Sequence, residues 1–259
     1  MTKRILPLEG VSNFRDYGGY STREGGTVKT GRLFRSAHQS RATDADLDAM
    51  AALGIDVIVD LRRKGERERE PSRRYPGFVG QVIENDIGDV SEDPWHLFVR
   101  NSDLSVRAFH EHGLGYYRDA PFEARHIDLY SRYFRALAET DGAVLIHCAA
   151  GKDRTGILAA LTHHLLGVHR DDIHADFILT NQAVDHDRMI PVVTEMMFEQ
   201  TGRRPTPEAV RKALGVDPAY LDTAYTVIEA AHGSIDTYLA DVLGVDDSLK
   251  SRLRERLIY

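Results

Sequence analysis

Ten residues, His147 to Gly156, read HCAAGKDRTG and hold the only cysteine of the 259-residue chain. Five positions separate Cys148 from Arg154, and Thr155 follows directly. Upstream, Ala143-Val144-Leu145-Ile146 is a short apolar run that suits a buried strand; downstream, Gly156-Ile157-Leu158-Ala159-Ala160-Leu161 opens a helical pattern. The motif therefore falls at a strand-to-helix turn. A loop wrapped over a helix N-terminus aims free amides inward, and the helix dipole adds positive charge, so such a turn binds anions. A thiol in that field is expected to act as a thiolate. Facing a bound phosphate, it would attack phosphorus in line, form a cysteinyl-phosphate, and be released by water.

Each residue type suits that chemistry. Ala149, Ala150 and Gly151 keep the rim small enough for the backbone to approach a phosphate. Arg154 supplies a planar fork for two phosphate oxygens, which lysine does not imitate. His147 is placed to hold the cysteine loop from behind, Thr155 to donate to the departing sulfur, and Lys152 to add charge for acidic substrates. A lone cysteine at a strand end is ordinarily a small buried hydrophobe. The glycine, arginine and threonine at these spacings argue against that here. A nucleotide-binding Walker loop would need glycine at Ile146 and Ser or Thr at Asp153, so it is excluded. Expelling a tyrosyl or alkyl oxygen also needs a carboxyl group as proton donor. Asp153, Asp86, Asp89 and Asp60 are the candidates.

The elements that must position this loop alternate between strand and helix. Leu33-Phe34 begins the core. Thr43 to Leu53 reads as a helix, with Thr43 as N-cap, Asp46 three residues on, and Gly54 as its end. Ile55 to Leu61 is a strong strand and Val79 to Ile83 a weaker one. The alternation predicts an α/β fold with a central, mostly parallel sheet flanked by helices, and with the site at the C-terminal ends of the strands. The mixed run Arg62 to Arg74 reads as a solvated helix and turn. Residues 89–120, with Pro94, Trp95, Leu97, Phe98, Phe109, Tyr116 and Tyr117 among glycines and charges, are too apolar for a free linker. They suit either a mobile lid over the phosphate loop or a helical excursion packed on the core. Helices are expected over Asp171 to Asp185, Arg188 to Thr201, Pro207 to Leu214 and Pro218 to Ala231, so 187–259 forms a C-terminal helical part. Met189, Met196, Met197 and Phe198 suit a core face better than a ligand or lipid face.

Composition fits one compact enzyme domain over 1–259. A net charge of −7 argues against nucleic acid as a partner. No apolar run approaches the length of a membrane span, and Met1-Thr2-Lys3-Arg4 leads only into Ile5-Leu6-Pro7-Leu8, so neither a transmembrane segment nor a signal peptide is expected. A single cysteine forms no internal disulfide, and a nucleophile must stay reduced, which predicts a cytoplasmic setting and leaves export without a recognisable signal open. Twelve histidines invite a metal, but His110 and His112, His163 and His164, and His186 do not make a three-ligand set, so no metal or other cofactor is expected.

Further motifs carry a resemblance. Asn13-Phe14-Arg15-Asp16 with Gly18-Gly19-Tyr20, Gly31-Arg32-Leu33-Phe34-Arg35-Ser36, Asp60-Leu61-Arg62 with Glu66, and the tail elements Tyr220-Leu221, Gly233-Ser234, Tyr238-Leu239 and Leu243-Gly244-Val245 accompany the loop. Together these resemble the bacterial branch of the cysteine-dependent protein-tyrosine phosphatases, with its HCxxGKDRTG loop, over nearly the whole chain. The resemblance implies that fold and hydrolysis of phosphotyrosine, with phosphoserine, phosphothreonine or phosphoinositides as further substrates. It implies Cys148 and Arg154 as nucleophile and phosphate ligand. It also makes Asp153, inside the loop, the first choice of general acid, ahead of Asp86 and Asp89 after the third strand, and gives Asp60 a structural part. A non-catalytic module binding phosphorylated groups is the other class, reached in such folds by loss of the cysteine or arginine, which are both present here.

Overall fold

The computed structural model describes residues 4–259; Met1, Thr2 and Lys3, read above as part of a stretch without a signal pattern, lie outside the described residues. Five strands, β1 (Arg15–Asp16), β2 (Leu33–Ser36), β3 (Ile55–Asp60), β4 (Gln81–Ile83) and β5 (Ala143–His147), form one sheet in the order β1-β2-β5-β3-β4. Only the β1–β2 pair is antiparallel. In the parallel centre, His147 at the end of β5 pairs with Ser36 at the end of β2 and with Asp60 at the end of β3. Three chain segments thus leave the sheet at one level, and whatever follows them converges.

Both faces of the sheet are covered, and the side-chain period of two sorts the strands accordingly. Phe34, Ile58 and Leu145 point to one side, where they meet Leu47 and Met50 of helix α1 (Asp44–Ala51). Leu33, Val57, Val59, Val144 and Ile146 point to the other, against helix α5 (Ala124–Glu139) and helix α6 (Asp153–Leu165). Completely burying one such aliphatic side chain contributes about 1.5–3 kcal/mol, so these two layers hold the sheet between them. Helix α1 starts as its sequence demands: Thr43 Oγ1 accepts from the Asp46 amide at 3.2 Å and Asp46 Oδ2 accepts from the Thr43 amide at 2.9 Å. Its end is marked by Gly54 at φ +64°, a left-handed conformation that glycine adopts without strain.

The remaining helices are α2 (Lys64–Arg69), α3 (Pro94–Asn101), α4 (Val106–Asp119), α7 (Arg170–Ile178), α8 (Thr180–Ala183), α9 (His186–Thr201), α10 (Pro207–Leu214), α11 (Pro218–His232), α12 (Ile235–Asp241) and α13 (Asp247–Leu257). The segment 89–120, too broken in sequence for one helix, holds two, because Asp93 with Pro94 and then Ser105 each supply a fresh N-terminal cap. These two helices do not pack alone. Val99, Leu104 and Phe109 join Met197 of α9 and Ala209 of α10 in an apolar cluster of their own. Met197 is therefore core, while Phe198 on the same helix stays exposed. Among the described residues, no helix is long and apolar enough to cross a membrane.

The run from Arg62 to Arg74 departs from its sequence reading at its first residue. Helix α2 forms within it, but Arg62 is 1% exposed rather than solvated. Its guanidinium closes on Asp60 Oδ1 at 2.9 Å and Oδ2 at 2.7 Å, and also holds the Glu70 carbonyl and the Ser72 hydroxyl. A carboxylate two residues upstream at a buried strand end makes that burial tolerable.

Candidate active site

Between β5 and α6, residues Cys148 to Lys152 make a loop whose carbonyls are all tied outward. The Ala149 carbonyl accepts from the His38 amide at 3.2 Å, and the Ala150 and Gly151 carbonyls accept from Asn13 Nδ2 at 3.1 and 2.8 Å. Arg35 Nη2 donates to the same Gly151 carbonyl at 3.0 Å, and Lys152 O receives the Gly156 amide at 2.8 Å. Peptide planes fixed this way turn their N–H groups toward the centre of the loop. Among the described residues, no amide from Ala149 to Lys152 donates a hydrogen bond within the protein. Gly151 is indispensable to the shape. Its φ is +66°, and a Cβ there would stand 2.3 Å from the carbonyl carbon and oxygen of Ser36. The result is a ring of amides over the first turn of α6, with buried Cys148 at its base.

Arg154 is held by its end face. Nη1 donates to Glu66 Oε2 at 2.6 Å and Nη2 to Glu66 Oε1 at 2.7 Å, while the second Nη1 proton goes to the Leu61 carbonyl at 3.2 Å. A guanidinium has five N–H donors in a rigid plane. Three are used, which leaves Nε–H and the second Nη2–H side by side, the fork that grips two oxygens of a phosphate. Glu66 in turn accepts from the Arg63 amide at 2.8 Å, so the start of α2 fixes the carboxylate that fixes the arginine. Burial raises the Glu66 carboxyl, but Arg154 outweighs it and brings the pKa from 4.5 to about 2.

Below the loop, His147 is completely buried, with Nδ1 3.4 Å from the Cys148 carbonyl and Nε2 3.5 Å from Asp60 Oδ2. Burial drives its pKa down to about 4, so the ring is neutral at pH 7 and does not shuttle protons there. Asp60 is pushed up by burial and pulled down more strongly by His147 and Arg62. Since His147 is neutral at pH 7, the bidentate Arg62 is the charge that keeps Asp60 ionised. The hydroxyl of Thr155 is fully buried and has no hydrogen-bond partner among the described residues, Cys148 Sγ included.

The carboxylate candidates are in different surroundings. Asp153 begins α6 and receives the hydroxyl of Tyr117, from α4, on Oδ1 at 3.1 Å. Asp86 lies on an exposed turn after β4, paired with Arg67, and Asp89 is exposed three residues later. Lys152 has partners that its sequence does not show. Its ammonium donates to the Ala213 carbonyl and, at 3.2 Å, to the Gly215 carbonyl at the C-terminal end of α10. Free carbonyls at a helix end attract a cation, and these hold the Lys152 ammonium 3.8 Å from Asp153 Oδ2.

Asn13, Arg15 and Arg35 stand in sequence motifs without a task, Tyr117 stands only among the apolar residues of 89–120, and Asp176 carries no mark in the sequence. Arg15 Nε reaches Asp176 Oδ1 at 3.2 Å and Arg35 Nη1 reaches Asp176 Oδ2 at 2.7 Å, all three completely buried on the far side of the loop. Arg15 also holds the Asn13 side-chain oxygen, so the residue that grips Ala150 and Gly151 is itself gripped. Burial lowers Arg15 to about 10, still a cation at neutral pH, and the two arginines hold Asp176 well below the usual carboxylate range against the opposing effect of burial. Two cations and one anion leave a net positive charge behind the amide ring. The signal was present in sequence: an arginine inside the apolar strand Leu33–Ser36 has to be paired with something.

A model of the tyrosine phosphatase family matches residues 6–259. A Cupriavidus necator protein assigned as a tyrosine-protein phosphatase is 34% identical over 245 residues, 93% of this chain and 85% of that one. The triple specificity protein phosphatase PtpB of Mycobacterium tuberculosis is 32% identical over 285 aligned positions, covering 98% of this chain and 99% of PtpB. Among solved structures, P. aeruginosa TpbA in complex with phosphotyrosine gives a TM-score of 0.34 at 16% identity, over 71% of this chain and 86% of that one. A cysteine in an amide ring, an arginine with a free fork, and a match spanning the two agree: the chain belongs to the tyrosine phosphatase family.

Proposed function

We propose that the protein hydrolyses phosphotyrosine in protein substrates, with Cys148 as nucleophile, Arg154 as phosphate ligand and Asp153 as general acid and then base. The observation that carries this reading is the donor set around Cys148: inward amides from Ala149 to Lys152 and the unused Nε/Nη2 edge of Arg154. The phosphoryl oxygens lie on those donors, which gain strength as negative charge builds in the transition state. Cys148 Sγ attacks phosphorus, the ester P–O bond breaks, and the departing phenolate takes its proton from Asp153. Water then attacks the cysteinyl-phosphate, gives a proton to Asp153, and releases inorganic phosphate and the thiolate. Thr155, whose hydroxyl spends no hydrogen bond elsewhere, is the group assigned to the sulfur as it departs.

Phosphotyrosine is favoured over phosphoinositides because Lys152, the cation that would have met extra phosphates of an inositol ring, is spent on α10. A relative named for triple specificity supports extending the proposal to further phosphorylated residues, phosphoserine and phosphothreonine. Phosphate release from a phosphotyrosine peptide in the presence of chelator, compared between the native protein and Cys148→Ser, tests the reading. Turnover that vanishes in the variant is expected; turnover that survives overturns the assignment of the nucleophile. Native protein that is inactive on the peptide but active on a phosphoinositide overturns the substrate.

A further inference from the structure

Asp153 has two carboxyl oxygens and only one of them meets the helical unit above the loop. Tyr117 donates to Oδ1 at 3.1 Å, whereas the nearest cation to Oδ2 is Lys152 Nζ at 3.8 Å, already engaged by carbonyls of α10. Tyr117 is fully buried, stacked on Tyr220 with ring centres 5.5 Å apart, and edge-on to Phe177 at 5.8 Å. It therefore has little freedom to move its hydroxyl. Burial and the neighbouring Asp153 raise the Tyr117 phenol well above 10, so the group remains a donor throughout the working range of the enzyme.

A protonated carboxyl has one oxygen that carries hydrogen and one that only accepts. A fixed donor at Oδ1 satisfies the accepting oxygen and so directs the transferable proton to Oδ2. We infer that Tyr117 is a positioning residue for the general acid, selecting Oδ2 of Asp153 as the oxygen that protonates the leaving group. The inference rests on the reading of Asp153 as that acid. The balance of the step is unchanged: Oδ2–H gives its proton to the ester oxygen as the P–O bond breaks, while Tyr117 keeps its own. In the second step Oδ2 takes a proton from the attacking water, with Tyr117 still on Oδ1. Helix α4, whose sequence offers no motif, thereby enters the catalytic machinery through one hydroxyl.

The test is leaving-group dependence, which a role in stability alone does not move. kcat/KM reports the steps up to formation of the cysteinyl-phosphate and is measured on phenyl phosphate, whose phenolate needs a proton, and on 2,4-dinitrophenyl phosphate, whose phenolate does not. General acid catalysis contributes about 10²–10⁴-fold, and a misdirected acid forfeits part of it, so Tyr117→Phe is expected to lose roughly tenfold on phenyl phosphate and little on the dinitrophenyl ester. In an Asp153→Asn background the same substitution is expected to change neither substrate further. A Tyr117→Phe loss that is equal on both esters, or absent on both, while Asp153→Asn remains selective for phenyl phosphate, overturns the part given to Tyr117 alone. An Asp153→Asn variant without selectivity overturns the acid itself and Tyr117 with it. Tyr117→Phe keeps the ring that packs on Tyr220 and Phe177, so the substitution removes the hydroxyl alone.

Discussion

Glu66→Gln is the most informative single perturbation of the loop. The native carboxylate binds both Nη atoms of Arg154 at 2.6 and 2.7 Å, and an amide keeps only one good acceptor and no charge. The fork that should meet phosphate then loses its fixed orientation. Misplacement of a catalytic group by about 1 Å costs on the order of 10²-fold, or about 2.7 kcal/mol of barrier, and that is the expected fall in kcat/KM. Stability changes as well, with a definite pH signature. Glu66 is lowered from 4.5 to about 2 in the folded protein, so its contribution is complete above pH 4.5 and is lost as pH falls toward 2. At 1.36 kcal/mol per unit the pair is worth about 3 kcal/mol at neutral pH. Urea unfolding of native protein and variant, followed from pH 7 to pH 3, should show a difference of that order that is constant to about pH 4.5 and then narrows by roughly 1.4 kcal/mol per unit. A difference that does not narrow below pH 4.5 refutes the ion pair as the source. Unchanged kcat/KM refutes the idea that Glu66 aims the arginine.

Gly151→Ala is expected to abolish turnover and lower Tm by several degrees, because the new Cβ meets Ser36 backbone at 2.3 Å in a positive-φ conformation; calorimetry and phosphate release check both. Asp176→Asn leaves Arg15 and Arg35 buried without a carboxylate, a loss of about 3–5 kcal/mol in urea unfolding, and an effect below about 1 kcal/mol would show that the arginines have another counter-charge. Lys152→Met should change KM by the same factor for acidic and for neutral phosphotyrosine peptides, since the ammonium is spent on α10; a penalty confined to the acidic peptide would return Lys152 to the substrate.

The parts legible in sequence were those with a local cause. Helix α10 runs from Pro207 to Leu214 as expected, because Thr206 caps it, Pro207 fits its first turn and Gly215 ends it. The strand-loop-helix at Cys148 follows from an apolar run that meets Gly151 and then a helix pattern. Partners distant in the chain left no such mark. Arg15 and Asp176 are 161 residues apart, Arg35 and Asp176 141, and Tyr117 and Asp153 36, so no periodicity relates them. The carbonyl partners of Lys152 are hidden for a related reason, since the helix end that presents them lies 61 residues later. Arg62 was the exception, since Asp60, the partner that buries it, stands two residues away.

Helix α4 belongs to two apolar clusters. Phe109 in its first half packs with Val99, Leu104, Met197 and Ala209, while Tyr117 near its end packs in the core with the sheet. Cooperative units of a protein open at free energies set by what each buries, and the smaller cluster is the cheaper to open. Amides of α3 and the first turns of α4 should therefore exchange with solvent hydrogen ahead of those around Tyr117. The boundary between fast and slow exchange would then run across a single helix. A bulky phosphoprotein pressing on the outer helices would meet the yielding end, and the carboxyl of Asp153 would keep its partner while the surface above it gives way.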